Sequence, residues 1–120
     1  EVEGVLREGL KGAGYGLIVD EGIELLSQLS LYHGAQGVVG PHGAALSLIL
    51  AMRPDRAVVE YMPNAWSAMS NICFLRMSAV LGLEYRVVHV LNGSFTAPMT
   101  VNATAGLEAA LDALSTVPSD

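Results

Sequence analysis

The sequence predicts an α/β domain, a Rossmann-like parallel sheet of about four strands with helices on both faces. Short valine-rich runs alternate with runs of helical period, and the connections between them are too long for hairpins. The composition agrees: 52% of the 120 residues are hydrophobic and mean hydropathy is +0.45, as in a sheet buried between helices. A chain of this length forms one domain, 1–120, and buries roughly two-thirds of its unfolded surface.

Each element follows from its residues. Val2, Val5, Leu6 and Leu10 fall at helical spacing ahead of Gly12 and Gly14. Tyr15-Gly16-Leu17-Ile18-Val19 reads as a first short strand. Asp20 is placed to cap a second helix, whose apolar face is Ile23, Leu25, Leu26, Leu29 and Tyr32, closed by His33-Gly34. Gln36 to Gly40 forms the second strand. Ala44 to Met52 is a helix apolar on nearly every side, hence buried. Pro54 turns the chain at Arg53-Pro54-Asp55-Arg56. Ala57-Val58-Val59-Glu60-Tyr61 is the third strand and ends at Met62-Pro63-Asn64. A helix from Trp66 to Leu81 stops at Gly82, and Glu84 to Leu91 is the fourth strand. The last helix lies near Ala105 to Leu114, with Thr104 or Thr100 as its cap.

Net charge and cysteine content narrow the classes. The formal charge is −6 and Lys11 is the only lysine, so the basic stripe that nucleic-acid binding requires is missing. No apolar run reaches the roughly 20 residues of a membrane span. The single cysteine, Cys73, excludes an internal disulfide, and Ile72 and Phe74 beside it suggest a buried core thiol. With neither an initiator methionine nor a signal peptide or sorting tail, the chain reads as a piece of something longer.

Two places are built for chemistry. Gln36 to Gly40 runs through Pro41-His42-Gly43 into Ala44-Ala45-Leu46, which sets backbone N–H groups at a helix start behind very small side chains. Such ends bind phosphate, because the amides and the helix dipole point outward together. Gly40, Pro41, His42, Gly43, Ala44 and Ala45 are therefore candidate substrate-binding residues, with His42 beside a phosphate oxygen or leaving group. Neither a Walker loop nor a Gly-x-Gly-x-x-Gly fingerprint is present. The second place is Glu60, the one charge in an apolar strand, where a carboxylate can accept from ribose hydroxyls. The other readings are a plain tight turn with His42 capping or solvated, and a Glu60 that reaches solvent or pairs with Arg56. His33 and His89 lie in no metal-ligand pattern, so no metal is called for. Asn92-Gly93-Ser94 and Asn102-Ala103-Thr104 match the N-glycosylation acceptor pattern.

The order of these pieces resembles glycosyltransferase family 61. The resemblance is carried by Gly40-Pro41-His42-Gly43-Ala44-Ala45-Leu46, then Met52-Arg53-Pro54, then Val58-Val59-Glu60, and extends through Leu81-Gly82-Leu83, Tyr85 and Val101-Asn102. Ala45 stands where the family has a second glycine, Leu48 where asparagine is common and Ala51 where an aromatic is common. The resemblance implies the C-terminal half of a GT-B glycosyltransferase, with the N-terminal half of the enzyme outside this chain. It implies inverting transfer of xylose, N-acetylglucosamine or arabinose from a UDP-sugar donor to a protein or glycan acceptor, with no cofactor. His42 and the Gly43 to Ala45 amides would hold the diphosphate and Glu60 the ribose. The setting implied is the Golgi or endoplasmic reticulum lumen in a eukaryote and the cytoplasm in a bacterium. A non-catalytic nucleotide- or phosphate-binding module and a structural interaction domain are the competing expectations.

Overall fold

The computed structural model describes residues 2–63, 72–90 and 102–118. Three parallel strands form the sheet, in the order β1 (Gly37–Pro41), β2 (Ala57–Pro63), β3 (Glu84–Val90). The register sets Gly40 beside Glu60 and Glu60 beside Val87. β2 is buried along its whole length, as the central strand of a sheet covered on both faces must be.

Helices α1 (Val2–Gly12) and α4 (Ala103–Leu114) cover one face, where Leu6, Leu10, Ala110, Ala113 and Leu114 pack on Val59, Tyr61 and Val88. The other face carries α2 (Leu25–Gly34), a 3-10 helix (Ala44–Ala51) and α3 (Cys73–Leu81). There Tyr32, Leu46, Ile49 and Phe74 surround Val58. The 3-10 helix links β1 to β2 and α3 links β2 to β3, so both crossovers pass over the same face. That is the layout required when successive crossovers share one hand. No described helix is long and apolar enough to cross a membrane.

The sheet has three strands among the described residues, not four, because Tyr15 to Val19 does not join it. Its polar groups are used by α1: Tyr15 N–H donates to the Leu10 carbonyl at 2.8 Å, and Arg7 Nη1 donates to the Leu17 carbonyl at 3.1 Å. Gly14, at φ +92°, turns the chain back so that this contact forms. Tyr15 and Leu17 still pack on the core, while Ile18 is 68% exposed. From Tyr15 to Ile18 the burial alternates like a strand, but the backbone pairs with no strand among the described residues.

Other boundaries moved for local reasons. α2 begins after Glu24, not at Asp20, and the Asp20 carboxylate instead accepts from Gln28 Nε2 at 3.3 Å. Of its expected apolar face only Tyr32 is buried, and Leu26 is 71% exposed. α4 is capped by Asn102, whose Oδ1 accepts from the Ala105 N–H at 3.0 Å; Thr104 lies inside the helix and Thr100 outside the described residues. The first part of the expected Trp66 to Leu81 helix also lies outside them, as does Asn92. α3 ends at Gly82 in the left-handed region, φ +72°, where the Gly82 and Leu83 N–H groups both donate to the Ser78 carbonyl. The Gly82 carbonyl accepts from Asp55 N–H at 2.8 Å and so ties this end to the Pro54 turn.

Candidate functional site

Pro41 ends β1, and one residue later the His42 N–H donates to the Tyr61 carbonyl at 2.8 Å. That bond carries the parallel ladder one rung past the strand and holds His42 over the carboxyl end of the sheet. Strand alternation puts Glu60 on the same face as Val58, toward the 3-10 helix and α3. The two side chains meet there: His42 Nδ1 is hydrogen-bonded to Glu60 Oε2. The other carboxylate oxygen, Oε1, accepts from the Tyr85 hydroxyl. Glu60 is 0% exposed and the His42 side chain 7%. Phe74 sets its ring against the imidazole at 5.1 Å and 63°, an edge-on contact that fixes the ring plane.

A carboxylate this deep is destabilising by several kcal/mol unless its oxygens are met by donors. Both are met here, which explains how an acid sits in the middle of the central strand. Burial first, then the hydrogen bond and charge of Glu60, hold the Tyr85 hydroxyl well above an ordinary phenol. The partners of Glu60 are thus His42 and Tyr85, neither solvent nor Arg56. A ribose hydroxyl would have to displace Tyr85 or His42 to reach it.

In front of this cluster the turn is open. A Cβ built on Gly43 meets nothing within 4 Å, whereas one on Gly40 would touch Leu46 Cδ1 at 3.7 Å. Leu46 N–H donates to the Gly43 carbonyl at 3.1 Å and closes the first turn of the 3-10 helix. Among the described residues, the Gly43, Ala44 and Ala45 N–H groups donate to no protein acceptor. Three consecutive amides at the start of the 3-10 helix thus have no acceptor among the described residues, and Ala44 and Ala45 are exposed. The structure brings together the two segments singled out in the sequence, residues 40–45 and Glu60, through the pairing of Gly40 with Glu60 in the sheet and the side-chain contact between His42 and Glu60.

The remaining candidates lie elsewhere. Cys73 is exposed rather than buried, because the first turn of α3 directs Phe74 inward and Cys73 outward. His33 Nδ1 contacts the Ala51 carbonyl at 3.0 Å, a link between α2 and the 3-10 helix, and His89 is exposed on β3. Among the described residues no group of three or more histidine, cysteine or acidic side chains is placed to hold a metal ion. A surface hollow of about 460 Å³ lies along α2, lined by Leu26, Ser27, Ser30 and Leu31. It carries no titratable group and is no part of the His42 cluster. The partners missed in the sequence are Tyr85 and Phe74. Their only signal was the alternation of β3 and α3, and it does not reveal register. Comparison of the chain with protein families, with curated proteins and with solved structures finds no significant match.

Proposed function

We propose that this chain is the donor-binding half of a GT-B glycosyltransferase resembling family 61, which holds the diphosphate of a UDP-sugar at the Gly40 to Ala45 turn. The observation that supports the reading is the run of three amides at Gly43, Ala44 and Ala45 with no acceptor among the described residues, at a turn where a Cβ on Gly43 would meet nothing within 4 Å. They give a diphosphate hydrogen bonds and the positive end of a helix without any net positive charge on the protein. That suits a chain of charge −6. His42 adds a side-chain contact beside them, and Glu60 acts on the ligand through His42 rather than through the ribose.

In the reaction this implies, an acceptor hydroxyl oxygen attacks the anomeric carbon on the face opposite UDP. The bond from that carbon to the diphosphate oxygen breaks, and the electron pair leaves with UDP. The hydroxyl proton passes to a base on the acceptor side, which the N-terminal half would supply. Donors already aimed at the diphosphate stabilise the charge that develops on it, with no reorganisation during the reaction.

The exposed Leu25, Leu26 and Ile18 favour a second reading, a domain that docks by an apolar surface and binds no nucleotide. Calorimetry with UDP separates the two. The donor-site reading expects binding that is weakened by His42→Ala and lost in Gly43→Val, whose added side chain occupies the turn without meeting the protein near its Cβ. Absence of heat at millimolar UDP, with the chain folded, rejects it.

A further inference from the structure

We infer that Tyr85 is a positioning residue for His42, acting through Glu60: by donating to one carboxylate oxygen it keeps the other as acceptor of the His42 Nδ1 proton. The Nδ1 proton is then committed to Glu60, and Nε2 is the ring nitrogen outside that contact. When the ring carries both protons, the buried carboxylate behind it balances the charge.

The chemistry of three groups joined by two hydrogen bonds leads to this assignment. The Tyr85 hydroxyl and His42 Nδ1 contact different oxygens of Glu60, and no solvent reaches that carboxyl. For one and the same proton count the His42–Glu60 contact has two forms. In the first, a carboxylate accepts from Nδ1–H of an imidazolium. In the second, a neutral carboxyl donates to the Nδ1 lone pair and the imidazole is uncharged. A donor on the far oxygen stabilises the first form and does little for the second. Tyr85 is that donor, and its proton stays on oxygen because burial and the Glu60 contact disfavour the phenolate. Phe74, edge-on to the imidazole, opposes a ring flip that would put Cδ2 in the place of Nδ1 and break the bond to Glu60.

The register makes the contact possible. Tyr85 pairs with Val58, two residues before Glu60 on β2, so both point to one face and the long phenol reaches along the strand direction. A shift of one residue in β3 would send Tyr85 to the α1–α4 face and leave Glu60 Oε1 without this donor.

The consequence for a ligand rests on the donor-site reading. A diphosphate oxygen accepting from Nε2–H meets a cation in the first form and a neutral donor in the second, and the cationic bond is the stronger.

The test is 15N NMR of the histidine rings with UDP titration beside it. Of the three histidines, the His42 signals are those lost in His42→Ala. The intact chain is expected to show His42 Nδ1 protonated. In Tyr85→Phe that signal should move toward an unprotonated nitrogen and UDP should bind roughly tenfold more weakly. An unprotonated Nδ1 in the intact chain overturns the inference. So does a Tyr85→Phe protein with an intact amide fingerprint and an unmoved Nδ1. If Tyr85→Phe does not fold, fluorotyrosine in place of tyrosine keeps ring and hydroxyl while changing donor strength. The Nδ1 signal should then shift, and a fixed signal is again refutation. If UDP binds neither form, the donor site fails, while the Nδ1 result still decides the role of Tyr85.

Discussion

Replacing His42 with alanine tests the cluster at its weakest point. The substitution removes the donor to Glu60 Oε2 and leaves a carboxylate of 0% exposure held by Tyr85 alone. Breaking a buried pair from one side typically is destabilising by about 3 kcal/mol, because the remaining charge is unmet. With a urea slope of about 2 kcal/mol per molar, that loss moves the unfolding midpoint down by about 1.5 M. A domain of this size has roughly 5–15 kcal/mol of stability, so the variant should remain folded without denaturant. Glu60→Leu in the same background removes the stranded charge and fills similar volume. The double variant should therefore regain more than half of the loss, a coupling of about 2 kcal/mol by the double-mutant cycle. Urea unfolding followed by circular dichroism measures all four proteins. A loss under about 0.5 kcal/mol for His42→Ala, or strictly additive effects, refutes the claim that these side chains meet inside the protein.

Four further outcomes follow from particular contacts. A Cβ on Gly106 would lie 1.8 Å from the Tyr61 hydroxyl, so Gly106→Ala should lower stability by about 2 kcal/mol and Tyr61→Phe should relieve part of it. Alone, Tyr61→Phe should be neutral or stabilising by up to about 1 kcal/mol in thermal unfolding, since that hydroxyl is buried with no hydrogen-bond partner among the described residues. Asn102→Ala removes the α4 cap and should lose about 1 kcal/mol, with faster amide exchange confined to the first turn. Alkaline titration gives the last. Burial, then the Asp20 charge, pushes Tyr32 up to about 12 from 10.0, and burial also raises Tyr61 and Tyr85. The unfolded chain loses these protons first, so their contribution is complete below pH 10 and is lost as pH rises toward and beyond 12. Phenolate absorbance that rises fully near pH 10 with the fold intact contradicts this.

Much of the site was legible because it is local. The turn at residues 40–45 announces itself by small residues between an apolar strand and an apolar helix, and the Gly43, Ala44 and Ala45 amides there have no acceptor among the described residues. Glu60 was conspicuous as a charge in a hydrophobic run, and burial of that charge demanded a partner. Which partner was not legible. His42 lies 18 residues away and Tyr85 lies 25, and only the β1-β2-β3 register brings both to Glu60. Cys73 failed for the same kind of reason, because apolar neighbours in sequence do not fix which side of a helix turns inward.

The sequence by itself determined the parallel α/β class and located three strands, expected at 36–40, 57–61 and 84–91 and found at 37–41, 57–63 and 84–90, since period and turn residues act over a few neighbours; β2 runs on through the expected Met62-Pro63 stop. Tertiary structure alone decided that Tyr15 to Val19 stays out of the sheet and that Glu60 faces inward between His42 and Tyr85. The physical reason is competition for hydrogen bonds. A backbone amide or a buried carboxylate takes whichever partner the packed elements bring within reach, and for Glu60 that choice is made between segments 18 and 25 residues apart.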